Sequence, residues 1–388
     1  MNKPPQISFS FSFLPQETKN DQDLFDRPLP LSQSDFSGPV QSSWTYRRYF
    51  QAIEGVLALD NFAALKDAVA CRLNLTVKTI DLEEIDIYAE KHGNWYHPVR
   101  IEVKTSGSRT TFVLNGALTE KGRWILEREV RTLMVLKDRY RYPWLPTVYF
   151  HNKTDMLSFP NEEGLPSFGF FIADWFEGFL EFHLSSVPGD PNPRLLLWDG
   201  NQDPSYLSKD QEGEVYRQIA KILTCYYNPI TYEQIFPWHH GAGDFVVRAA
   251  GGEIEVRLVT VRQYGPLVDP QRTNPEEALL LFFLNLTLRM RLDRLDGVGE
   301  TTWAGDHCLA STYAGFLDGL RIMEGEGALP PSFLSLFFNK LEGLSLEDLT
   351  ERFSAILDSY NPQAPDFPVV KENMVSHLLW VSKVLDHV

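Results

Sequence analysis

The stretch IDIYAEKHGNWYHPVRIEVKTSGSRTTFVLNGAL, residues 85–118, holds a two-residue period through two reversals of the chain. Ile85, Ile87 and Ala89 alternate with charged or polar residues, and Val99, Ile101 and Val103 do so again. Alternation of this kind puts apolar side chains on one face of a strand. Lys91-His92-Gly93-Asn94 and Ser106-Gly107-Ser108 are turn-forming clusters, and Thr111 to Leu118 reads as a third strand. The stretch predicts an antiparallel β-meander.

Downstream, the period changes to that of a helix. Leu126, Val130, Leu133, Met134 and Lys137 share one face of a helix from about Arg123 to Tyr140. Pro143 and Pro146 then impose extended chain. Thr147–His151 and Phe168–Trp175 read as two further strands, separated by the turn-prone Asn161–Ser167. Residues 85–176 therefore read strand, strand, strand, helix, strand, strand.

Upstream, residues 1–45 are rich in Pro, Ser, Gln and Asp and read as an irregular leader, in which Ile7–Leu14 suits a short edge strand. Tyr46–Leu73 has helical spacing broken at Asp60-Asn61, so residues 46–82 form a helical extension. The β-rich part spans 83–178. The remainder, 179–388, reads as mainly helical: Gly213–Tyr227, Pro275–Leu295, Leu309–Met323, Leu346–Tyr360 and Val370–His387. A hairpin, Phe245–Arg248 with Ile254–Val261 around Ala250-Gly251-Gly252, interrupts it. The fold class expected is α+β.

Composition narrows the function classes. The 388 residues carry 36 Lys+Arg against 52 Asp+Glu, a formal charge of −16, which opposes broad binding to phosphate backbones. Gly and Pro, 25 each, are too few for a collagen-like or low-complexity chain. Cys71, Cys225 and Cys308 are far apart, with no CxxC pair, so a zinc ribbon or redox dithiol is not expected; all three read as small buried hydrophobes. The first residues lack a continuous apolar run, and Ala278–Leu288 is too short to span a bilayer. These features predict a cytoplasmic protein with neither nucleic acid nor membrane as partner. No HExxH, P-loop or Rossmann glycine pattern occurs. Trp303-Ala304-Gly305-Asp306-His307-Cys308 holds a His/Cys pair and reads as an Asp-capped helix start.

Five strands with one helix after the third, then a helical part interrupted by a hairpin, resembles the protein-kinase-like fold, most closely the aminoglycoside-phosphotransferase branch of small-molecule kinases. The resemblance covers about residues 83–325. It implies a bilobal molecule: a small antiparallel five-stranded lobe with one helix, and a larger, mainly helical lobe. It also implies ATP and Mg²⁺ as cofactors of an active member.

The family's motifs map unevenly. Its third-strand lysine, which holds nucleotide phosphates, falls at Asn115, with Lys104 and Lys121 as nearby stand-ins. Its helix glutamate matches Glu129. Its glycine-rich phosphate loop falls on Lys91–His97, where Gly93 is followed by large aromatics. Its hinge, whose main chain meets adenine, falls at Trp175–Phe179. Its catalytic loop falls on Phe236–Val247: His239 takes the place of the aspartate base, His239 or His240 supplies the base, and Asp244 matches the metal-binding asparagine. The second metal aspartate is replaced by Thr260, between Arg257 and Arg262. Phosphoryl transfer depends on these charges. The expectation is a pseudokinase-like binding or regulatory module, partnered by a protein, a small molecule or a second copy of the chain. The alternative is an atypical phosphotransferase acting on a small molecule with ATP and Mg²⁺.

Overall fold

A computed structural model of the chain describes residues 4–12, 22–30, 44–90, 95–151, 168–187, 189, 192–198, 205–239, 243–297 and 299–385. They fall into two compact units, Met1–Arg141 with Pro146–Glu177, and Tyr142–Leu145 with Gly178–Val388.

The first unit contains β1 (Gln6–Phe11), α1 (Gln22–Phe25), α2 (Tyr46–Ala58), α3 (Ala63–Leu73), β2 (Leu82–Ala89), β3 (His97–Thr105), β4 (Arg109–Ala117), α4 (Glu120–Arg139), β5 (Val148–His151) and β6 (Gly169–Asp174). They build one sheet in the order β1-β2-β3-β4-β6-β5. The sheet has six strands rather than the five expected, and it is mixed, because β1 runs parallel to β2 while every other pairing is antiparallel. The leader supplies this sixth strand: Phe9 and Phe11 pack on Phe50 of α2, and Phe11 is fully buried.

One face of the sheet lies under α2 and α3. Ile85, Ile87, Val99, Ile101, Val103, Phe112 and Leu114 are all 0% exposed there. Each such side chain contributes about 1.5–3 kcal/mol of burial, which is why the two-residue period is so strict. The break between α2 and α3 falls where Asp60-Asn61 predicts it. Asp60, Asn61 and Phe62 all have left-handed φ, and the buried Phe62 ring anchors the turn.

The opposite face is covered in part by α4, whose Leu126 and Val130 pack on Ala117, Phe171 and Ala173. Elsewhere on this face β2, β3 and β4 present cross-strand charges: Lys104 with Glu84, Arg109 with Asp86, Arg100 with Glu90. The Arg100 guanidinium also lies 4.1 Å from the Tyr88 ring centroid.

The second unit contains β7 (Glu181–Ser185), β8 (Arg194–Trp198), β9 (Ser205–Tyr206), α5 (Lys209–Cys225), β10 (Glu233–Ile235), β11 (Phe245–Ala250), β12 (Glu253–Leu258), β13 (Tyr264–Pro266), α6 (Pro275–Met290), β14 (Leu292–Arg294), β15 (Thr301–Trp303), α7 (His307–Gly325), α8 (Phe333–Glu342), α9 (Leu346–Asp358) and α10 (Phe367–Leu385). A capping box of Ser208 with Gln211 starts α5, and Asn274 caps α6 ahead of Pro275 at its first position. Gly315 and Gly319, one turn apart on α7, let it lie against α5: a Cβ on Gly319 would stand 2.6 Å from Thr224 Cβ.

The hairpin β11–β12 forms as expected. Helix α6 ends at Met290 instead of running to Leu295, because Leu292–Arg294 pairs with Thr301–Trp303. The small sheets β7-β8-β9 and β10-β13 and helix α8 lie in segments that no periodicity singled out. Among the described residues no helix is long and apolar enough to cross a membrane.

Candidate functional site

In the first unit, Asn115 sits on β4 between Pro98 of β3 and Phe171 of β6, half-buried. Alternation along β4 puts it on the same face as Val113 and Ala117, the face that α4 covers. Glu129 is drawn inside by the apolar stripe of α4, adjacent to Val130 and three residues from Leu126; it is 1% exposed. The Tyr96 hydroxyl donates to Glu129 Oε2 at 2.6 Å. Asn115 and Glu129 therefore share one side of the sheet.

The two lysines do not gather at Asn115. Lys104 on β3 pairs with Glu84 on the neighbouring β2 at 2.7 Å, and this carboxylate holds its ammonium pKa above the ordinary value. It lies six residues along β3 from Pro98, roughly 20 Å at the rise of a strand. Lys121 is exposed in the first turn of α4, with its ammonium 4.1 Å from the Trp95 ring centroid. Gly122, lacking a Cβ, lets the Trp95 carbonyl approach the helix. Gly93 lies outside the described residues.

In the second unit, Gly243 adopts a left-handed φ of 78°, and the next residue, Asp244, begins the approach to β11. Asp244 is 1% exposed. Its Oδ2 accepts from the His239 backbone N–H at 2.8 Å and from the Arg262 guanidinium, while its Oδ1 has no hydrogen-bond partner among the described residues. Burial raises its carboxyl pKa above the ordinary value, opposed by Arg262. Thr260 lies half-buried two residues before Arg262.

His239 faces a guanidinium. Arg289 Nη2 lies 3.2 Å from His239 Nδ1 and 3.1 Å from Nε2. Arg289 is itself 4% exposed and donates to the Trp238 carbonyl at 3.1 Å and to Asp366 Oδ2 at 2.5 Å. A general base needs its lone pair on the proton to be removed, and in this arrangement the ring nitrogens lie against a cation. His240 lies outside the described residues.

The described residues around Asp244 do not fit Mg²⁺. One carboxylate oxygen already neutralises Arg262, Arg289 adds a second positive charge to the neighbourhood, and Thr260 brings no carboxylate. A hard divalent cation needs several oxygen ligands and a surplus of negative charge. Among the described residues no cluster of three His, Cys, Asp or Glu side chains is arranged to hold a metal.

The sequence marks Arg262 as a positive neighbour of Thr260 but carries no sign of its bond to Asp244. Tyr96 and Arg289 have no periodic or motif signal at all, since their partners lie 33 and 50 residues away. The Trp303–Cys308 stretch also resolves. Asp306 stands at the N-cap of α7 without a side-chain capping bond and instead accepts from Arg291 at 2.6 Å. His307 Nε2 lies 3.1 Å from Glu212, not on Cys308, whose buried thiol has its pKa pushed up to about 12. Cys225 is buried as well, whereas Cys71 is exposed, contrary to expectation.

The chain matches no protein-family model and no curated protein.

Proposed function

We propose that the chain is a kinase-fold protein acting as a binding or regulatory module, without Mg²⁺-dependent phosphoryl transfer. One observation carries this reading: both carboxylates that survive from the family pattern are engaged within their own unit, Glu129 by Tyr96 and Asp244 by Arg262. In an active member the first would hold a phosphate-binding lysine and the second a metal. The order β2-β3-β4-α4-β5-β6 along the chain supports a small lobe of that fold, and the hairpin β11–β12 after Asp244 supports the second lobe. The charge lattice of Arg100, Arg109 and Lys104 on the Asn115 face gives a polar ligand or partner surface instead of an apolar roof for a base.

The partner is a protein or small molecule, with a second copy of the chain among the candidates, in a cytoplasmic setting. A thermal-shift scan with ATP alone and with ATP plus Mg²⁺ tests the reading, because a ligand bound only by the folded state raises the melting temperature. The expected result is no Mg²⁺-dependent shift. A Mg²⁺-dependent rise that Asp244→Ala abolishes would overturn it in favour of an atypical phosphotransferase that uses ATP and Mg²⁺.

A further inference from the structure

The last helix, α10, buries one side only. Val370, His377, Leu378 and Val381 are buried, and the helix packs on α6, α7, α9 and β15. Its opposite side holds three large apolar side chains in the open: Val375 is 73% exposed, Leu379 46% and Trp380 38%. Val375 and Leu379 are one turn apart and form a ridge. The solvent face of a helix is ordinarily polar, so an apolar ridge there is a surface for a neighbour.

Opposite charges bound the ridge. Glu372 stands exposed near its start and Lys383 near its end, with the Lys383 ammonium 4.5 Å from the Trp380 ring centroid. Glu372 enters no ion pair among the described residues. The two charges are eleven residues apart, close to three full turns, so they flank the ridge on the same side, about 16 Å apart along the axis. The point midway between Glu372 and Lys383 is also midway between Val375 and Trp380, and it falls beside the midpoint of Val375 and Leu379.

We propose that α10 pairs antiparallel with α10 of a second copy of the chain, about a two-fold axis through that point. Such an axis keeps each flank of the helix on its own side, so Glu372 meets the partner's Lys383 and Lys383 meets the partner's Glu372. Val375 and Leu379 of both copies fill the middle. Lys371, on the other flank, comes opposite the partner's Ser382 and not a second lysine. A parallel pairing sets Glu372 against the partner's Glu372 and Lys383 against the partner's Lys383, which repel. The face is therefore complementary to itself in one orientation. One helix pair is small beside the ordinary interface of about 1,600 Å², so the dimer is of the weak, concentration-dependent class. This inference goes beyond the proposed function and is independent of whether the chain transfers phosphate.

Sedimentation of the full chain from about 1 μM to about 500 μM tests it, because a micromolar dissociation constant lies inside that range. The expected result is a mass that rises from one protomer toward two. Leu379→Lys, on the exposed side of the helix, is expected to weaken association at least tenfold with thermal unfolding unchanged at the lowest concentration. Glu372→Lys and Lys383→Glu are each expected to weaken it, and the double variant E372K/K383E to restore it. A monomer at every concentration overturns the proposal, in favour of a different protein as the partner of this face. Association that all three single variants leave unchanged overturns it as well, and a double variant as weak as either single overturns the antiparallel pairing.

Discussion

Arg262 donates to Oδ2 of Asp244, a carboxylate that is 1% exposed, so an arginine meets the charge of the residue that the sequence offers as a metal ligand. Arg262→Ala leaves that carboxylate with only the His239 N–H as a described donor. The expected cost is about 3 kcal/mol, at the low end for breaking a buried pair because the Arg262 side chain is 30% exposed. Urea unfolding should show a lower midpoint at unchanged slope. Loss of the guanidinium pushes the Asp244 pKa further up, so the deficit is largest at alkaline pH and shrinks as the pH falls and the carboxyl protonates in both states.

Tyr96→Phe removes the hydroxyl that meets Glu129 on the buried side of α4. A hydrogen bond to a charged group contributes about 1.5–3 kcal/mol, and that loss is expected in the unfolding free energy. Glu129→Gln keeps an acceptor for Tyr96 and should cost less. Equal costs for the two variants would show that Glu129 acts through its charge elsewhere.

Burial pushes His377 down to about 3, and Arg291 adds to the shift. The unfolded chain takes up a proton near pH 6.5 and the folded chain does not, so the folded state loses about 1.4 kcal/mol per pH unit as the pH falls from 6.5 toward 3. The stabilising contribution is complete above pH 6.5. Urea midpoints measured from pH 7 to pH 4 should fall steeply in the wild type and less steeply in His377→Phe. Parallel profiles would remove His377 from the acid response.

Gly319→Val drives a branched side chain into Thr224 on α5, where even a Cβ stands 2.6 Å away. Overpacking of this kind costs about 1–3 kcal/mol. Thermal unfolding should show the loss, and Gly325→Ala on the same helix, with nothing within 4 Å of the added Cβ, should show none of it.

The parts of the fold that local pattern could reveal are those in which one face is dry. β2, β3 and β4 announce themselves because Ile85, Val99 and Phe112 each begin an apolar run of alternating buried residues. The α2–α3 break is legible in Asp60-Asn61, since those side chains tolerate left-handed φ. β14 is hidden because Leu292 continues the apolar run of α6, and only its pairing with Trp303 ends the helix. Of the candidate site, Glu129 is visible as a charge bordering an apolar stripe. The Arg262–Asp244 and Arg289–His239 contacts are set by tertiary approach, which no local period encodes.

The parallel pairing of β1 with β2 imposes an order in time. Gln6 meets Glu84 and Phe11 meets Ala89, 78 positions apart. At roughly 5–20 residues per second, the partner strand leaves the ribosome about 4–16 seconds after β1 does. Through that interval Phe9 and Phe11 have only ring neighbours such as Phe25 and Phe50 and no strand to pair with, and the outer edge of β2 is completed only by a long loop closure. β1 is thus made well before the strand on which it docks. As an edge strand joined to its neighbour by a long closure, β1 is expected to open before the central strands, with amide exchange faster at Ile7–Phe11 than in β3 and β4.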